Sequence, residues 1–124
     1  MKSYIIKINK RLILPLPEDI LQRFDDIIYV IPVPNSYLRF MTKQEYDNLR
    51  EQLNNSYESN ESSKYILAYA LACWVDKDKI HFPKEIIAFI AHNGENEFVL
   101  IEENCEIRMY ERKAVESLIH ELVD

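Results

Sequence analysis

The stretch LPLPEDIL at residues 14–21 returns as IHFPKEII at residues 80–87. Both read apolar, any residue, apolar, proline, two polar residues, two aliphatics. Pro17 and Pro83 are 66 positions apart. Leu38-Arg39-Phe40 and Ile107-Arg108-Met109 match at an offset of 69, as do Leu49 and Leu118. The three-residue difference falls around HNGENE, a loop where insertion costs little. Agreement in element order, proline, hairpin and closing helix reads as an internal duplication. The expected division is a first unit over 1–56, a polar linker over 57–63 and a second unit over 64–124. At 124 residues the two halves together make one domain of ordinary size.

Periodicity supplies the elements of each half. Tyr4, Ile6 and Ile8 alternate with Ile5 and Lys7, as in a strand. Asn9-Lys10-Arg11 makes a turn into Leu12-Ile13-Leu14, and Pro15 argues against a central strand there. Pro17 opens a short helix, PEDILQRF, which Asp25-Asp26 ends. IIYVIPV at 27–33 reads as a buried strand, Pro34-Asn35-Ser36 as a turn and YLRFM at 37–41 as the returning strand. Thr42 and Glu45 form a capping box, and the following helix puts Tyr46, Leu49 and Leu53 on one face. NNSYESNESS at 54–63 is polar and low in complexity. In the second half, KYILAYALACW at 64–74 favours a buried helix whose ends could continue as strand. Residues 75–79 make a charged turn, IHF a short strand, and Pro83 opens a helix, KEIIAFI. FVLIE, a turn at 103–105 and EIRMY form the second hairpin. The closing helix aligns Ala114, Val115, Leu118, Ile119, Leu122 and Val123.

Composition narrows the function classes. The chain is 48% hydrophobic and contains a single Gly, Gly94, which excludes the glycine-rich loops that cradle phosphate. The formal net charge is -6, against the positive footprint of a general nucleic-acid binder. The sign is uneven, however. Residues 1–15 hold Lys2, Lys7, Lys10 and Arg11 and no acid. Cys73 and Cys105 have no metal-site spacing and read as small reduced core residues. No apolar run is long enough to span a membrane, and lysines interrupt any signal-peptide core, so a cytoplasmic protein is expected.

The unit of strand-turn-strand, proline-led helix, hairpin and amphipathic helix, written twice, resembles the MraZ family of bacterial proteins. These are transcription regulators with two AbrB-like swapped-hairpin units per chain. The resemblance covers nearly the whole chain and is carried best by IYVIPVPNSYLRFMTKQEYDNLREQL and EFVLIEENCEIRMYERKAVESL. It implies an α+β, mainly β fold of two tandem AbrB/MraZ-like swapped-hairpin barrel units with short helices. It also implies a ring-like homo-oligomer, association with double-stranded DNA, placement on the nucleoid and no cofactor. The family writes Asp, two residues, Gly, Arg, Leu, one residue, Ile or Leu, Pro in each unit. Here Asn9 stands for the acid and Leu12-Ile13 replace Gly-Arg. In the second unit, one residue shorter, Asp76 is the acid, Lys79 stands for the arginine and the Gly is missing.

The candidate DNA-binding residues are therefore Lys7, Asn9, Lys10, Arg11, Asp76, Lys77 and Lys79. Lysine and arginine neutralise phosphates and position a protein on DNA. Arg11 can also read guanine, because its planar fork reaches O6 and N7 together. Asp76 and Asp78 offset Lys77 and Lys79, so the second hairpin contributes less. The bland reading of these charges is a solvated turn. A second reading, from a different class, is a structural or assembly paralogue that keeps the oligomeric fold and has lost the DNA loop. An enzyme is not expected. His81, His92 and His120 share no metal spacing, Ser36 and Ser56 lack a nucleophile elbow, and Trp74 and the tyrosines read as core and rim residues.

Overall fold

The computed structural model describes residues 2–33, 37–55, 61–89 and 97–112. The expected turn at 34–36, the loop residues His92 and Gly94, and the closing helix with His120 lie outside the described residues. So do Ser56 and Asn60. The protein is mainly β, with few short helices.

Eight strands form one sheet: β1 (Lys2–Lys7), β2 (Ile13–Pro15), β3 (Ile27–Val33), β4 (Tyr37–Thr42), β5 (Leu71–Asp76), β6 (Lys79–His81), β7 (Glu97–Glu103) and β8 (Glu106–Glu111). Their order is β1-β7-β8-β4-β3-β5-β6-β2, and every pairing is antiparallel. The two end strands are consecutive in sequence. The turn at 9–12 joins them, with Asn9 N–H donating to the Ile13 carbonyl at 3.1 Å. The sheet thus curls into a nearly closed barrel.

Alternation decides what the barrel holds. Ile6, Leu14, Ile28, Val30, Leu38, Phe40, Cys73, Ile80, Phe98, Leu100, Ile107 and Met109 belong to one buried cluster. Their strand neighbours Ile5 and Trp74 point the other way and are exposed. Ile20 and Ile86, from the two proline-led segments, plug the same core and are fully buried.

Both proline-led segments are shorter than expected. The first is helix α1 (Glu18–Leu21), with Pro17 one position before it as the N-cap. The second is a 3-10 helix (Lys84–Ala88) after Pro83. Each delivers its isoleucine to the core from a helix of only four or five residues. Helix α2 (Lys43–Asn55) starts at the expected capping box. Glu45 N–H donates to Thr42 Oγ1 at 3.1 Å, and Thr42 N–H donates to Glu45 Oε1 at 3.3 Å. Its Tyr46 stacks on Tyr29 of β3, ring centroids 3.9 Å apart.

Helix α3 (Glu61–Tyr69) begins inside the stretch read as linker, and the chain turns to strand at Leu71. The helical expectation for 64–74 therefore holds only to Tyr69. Pairing with β3 decides the rest, because Leu71 to Trp74 face Val30 to Ile27 in register. That ladder stops at Val30, so Pro32 lies past its end and its missing N–H leaves no gap. The Pro32 carbonyl instead accepts from the Tyr65 hydroxyl of α3 at 2.9 Å.

Candidate nucleic-acid interface

The first basic turn is built around Asn9. Its side-chain Oδ1 accepts from the Arg11 N–H at 2.8 Å and the Ile13 N–H at 3.0 Å. The Leu12 N–H donates to the Asn9 carbonyl at 3.0 Å. Asn9 thus holds the turn from inside and presents Lys10 and Arg11 outward, both exposed. Among the described residues neither has an ion pair. Leu12 sits at φ 63°, where a side chain is strained, yet it is buried in the core cluster.

The second turn is Lys77-Asp78, a two-residue loop closed by the Asp76–Lys79 pair. Lys77 at φ 59° takes the position usually given to glycine. Lys77, Asp78 and Lys79 are exposed, while the Asp76 carboxylate lies 3.7 Å from His81 Nε2. Lys7, at the end of β1, is opposite Glu97, with Nζ 3.4 Å from Oε1. Arg112 also pairs with Glu97, and Arg112 first, then Lys7, hold that carboxyl below its ordinary 4.5 against partial desolvation. The Lys7 charge is therefore partly matched, unlike those of Lys10 and Arg11.

The β2–β6 ladder brings the two turns into one assembly. Phe82 N–H donates to the Leu12 carbonyl at 2.9 Å at one end, and Leu16 N–H donates to the Asp78 carbonyl at 2.9 Å at the other. Four residue steps, Leu12 to Leu16, separate them, about 13 Å at 3.3 Å per residue. Asn9, Lys10 and Arg11 lie at one end of this ladder, and Asp76, Lys77 and Lys79 at the other.

Sequence reading missed part of this face. Trp74, taken as core or rim, is 63% exposed and stands cross-strand from His81. A strand reading of 71–76 would have found it, since Cys73 inside places Trp74 outside; a helical reading hides that alternation. The expectation of two core cysteines also needs correcting. Cys73 is fully buried, its thiol pushed up to about 12 by desolvation, but Cys105 is exposed in the β7–β8 turn. Asn104 and Cys105 both adopt positive φ there, so the two-residue turn dictates the exposure.

Elsewhere on the barrel, Arg39 and Arg108 face each other across β4 and β8. Glu106 lies between them, with Oε1 3.0 Å from Arg39 Nε and Oε2 2.8 Å from Arg108 Nε. The Arg39 contact is ionic and lacks hydrogen-bond alignment. Tyr110 and Glu106 hold the Arg108 guanidinium above its ordinary range. Glu45 Oε2 lies 3.8 Å from Arg39 Nη2, so two acids offset the two arginines. Among the described residues no three His, Cys, Asp or Glu side chains converge as a metal site, and no helix is long and apolar enough to cross a membrane.

Comparison with known proteins finds no matching family model and no matching curated protein.

Proposed function

We propose that this protein binds double-stranded DNA as a transcription regulator of the MraZ type, through the basic turns at 9–12 and 76–79. The observation that carries the reading is the placement of both turns at the two ends of one short ladder. There Lys10 and Arg11 are exposed and, among the described residues, have no ion pair. A span of about 13 Å between turn bases is comparable with the width of about 12 Å of a major groove. The two turns can then engage phosphates on either side of it.

The strand pairings support the finer reading of two tandem swapped-hairpin units. Under the repeat, β1, β2, β3 and β4 correspond to β5, β6, β7 and β8. Each unit's first strand pairs with the other unit's third: Ile6 with Phe98, and Cys73 with Ile28. The equivalent second strands pair with each other, Leu14 opposite Ile80, and the fourth strands do so with Arg39 opposite Arg108. A ring-like homo-oligomer, repeating the turns along DNA, belongs to the same proposal.

The assembly reading has its own observation in the acids beside the basic groups: Asp76, Asp78 and Glu97. The deciding experiment measures binding of the purified protein to labelled duplex from upstream of its own gene, against an unrelated duplex, across salt. The regulator reading expects preference for the upstream duplex, a steep fall with salt, and a salt slope reduced by about two in Lys10→Ala/Arg11→Ala. A folded protein that binds neither duplex at low salt leaves the assembly reading standing.

A further inference from the structure

The outer face between the two basic turns carries an arrangement that phosphate contacts alone do not use. Pairing registers align Ile27, Trp74, His81 and Ile13 in one row across β3, β5, β6 and β2. At a strand spacing of about 4.8 Å the row is roughly 14 Å wide. Its centre is the exposed Trp74 and the exposed His81, with Ile13 and Ile27 half-buried on either side. Arg11 stands two residues before Ile13, and the next row holds Lys79 on β6 opposite Asp76 on β5. An exposed aromatic ring on a sheet near the cations of a neighbouring turn is complementary to a nucleotide: the ring matches a base face, the cations its flanking phosphates. A protein partner matched to the apolar ring alone would leave Lys10 and Arg11, which have no ion pair among the described residues, without counter-charge.

We propose that Trp74 is a base-stacking residue that takes an unpaired base of nucleic acid, while Lys10 and Arg11 hold the flanking phosphates. The proposal rests on the DNA-binding reading above and adds to it a ligand class. A paired base hides both faces in the helical stack, and a side chain lying on a sheet has no base face to meet there. An unpaired base presents its face without that obstacle.

Trp74 is the only tryptophan in the chain, so its emission reports on this position alone. The experiment compares a labelled duplex with the same duplex carrying a central bubble of unpaired thymines. Binding is followed by anisotropy of the label and by Trp74 emission. The expected result is about tenfold tighter binding of the bubble, with quenching of Trp74 on titration. Trp74→Ala, checked for folding by circular dichroism, loses about tenfold in bubble affinity, and Trp74→Phe, which keeps a stacking ring, retains most of it. Equal affinity for both DNAs with unchanged emission overturns the stacking role and leaves the DNA reading intact. No binding of either DNA overturns both. Emission that shifts with protein concentration alone assigns the row to contact between copies and also overturns the proposal.

Discussion

Asn9 and Leu12 show how one turn survives without glycine. A left-handed Leu costs about 1–2 kcal/mol, whereas burying its side chain contributes about 1.5–3 kcal/mol. Leu12 is 7% exposed at φ 63°, so burial offsets the strain where the resembled family writes Gly. Lys77, at φ 59° and exposed, has no such offset. Asn9 contributes the other half of the arrangement by satisfying two backbone N–H groups of its own turn. Asn9→Ala is expected to lower unfolding stability by about 1–2 kcal/mol in urea titration. On the DNA reading it also weakens binding with the salt slope unchanged, because the turn loosens but no cation is lost. A drop in slope equal to that of Lys10→Ala would instead make Asn9 part of the charge footprint.

At the scale of elements, the chain is tied together by pairs that no single segment contains. Glu97 on β7 joins Lys7 on β1 to Arg112 just after β8. Its carboxyl is held below its ordinary 4.5 in the folded state. The linkage sign follows: this stabilisation is present above about pH 4.5 and is lost as pH falls through the lowered folded value. Glu97→Gln is therefore expected to flatten the acid limb of the stability curve between pH 5 and pH 3 (about two units around the carboxylate range), measured by urea unfolding at each pH. An acid limb as steep as that of the wild-type chain would place its origin in other carboxylates. The capping box on α2 is an element whose signal was local and complete. Thr42 and Glu45 are three residues apart, and their reciprocal bonds form as the sequence pattern predicts.

For the whole molecule, Leu14 and Ile80 face each other in the β2–β6 ladder and are both fully buried. Leu14→Ala and Ile80→Ala are each expected to cost about 2–5 kcal/mol, the range for large-to-small changes in a core that cannot collapse around the hole. Because the two side chains belong to one packed pair, the double substitution should cost less than the sum of the two, by about 0.5–3 kcal/mol. Strict additivity in equilibrium unfolding would mean that the two facing side chains are packed independently.

The local signals in the sequence were sufficient for the features set within a few residues. Pro17 and Pro83 mark where the strand ends and a single helical turn begins, because proline fixes φ and removes a donor. The alternation around Ile6 and the run at 27–33 identify strands, and the proposed repeat rests on the offsets between Pro17 and Pro83 and between Arg39 and Arg108. The extent of β5 was not legible in the same way. Alanine and leucine at 68–72 favour helix locally, and pairing with Ile27–Val30 on one side and Lys79–His81 on the other makes Leu71–Asp76 a strand. That conversion turns Trp74 outward and sets it beside His81. The barrel closure and the joining of the two basic turns were decided the same way. Ladder partners are chosen by burial across the whole chain, and a residue's own neighbours carry no record of the strand it will face.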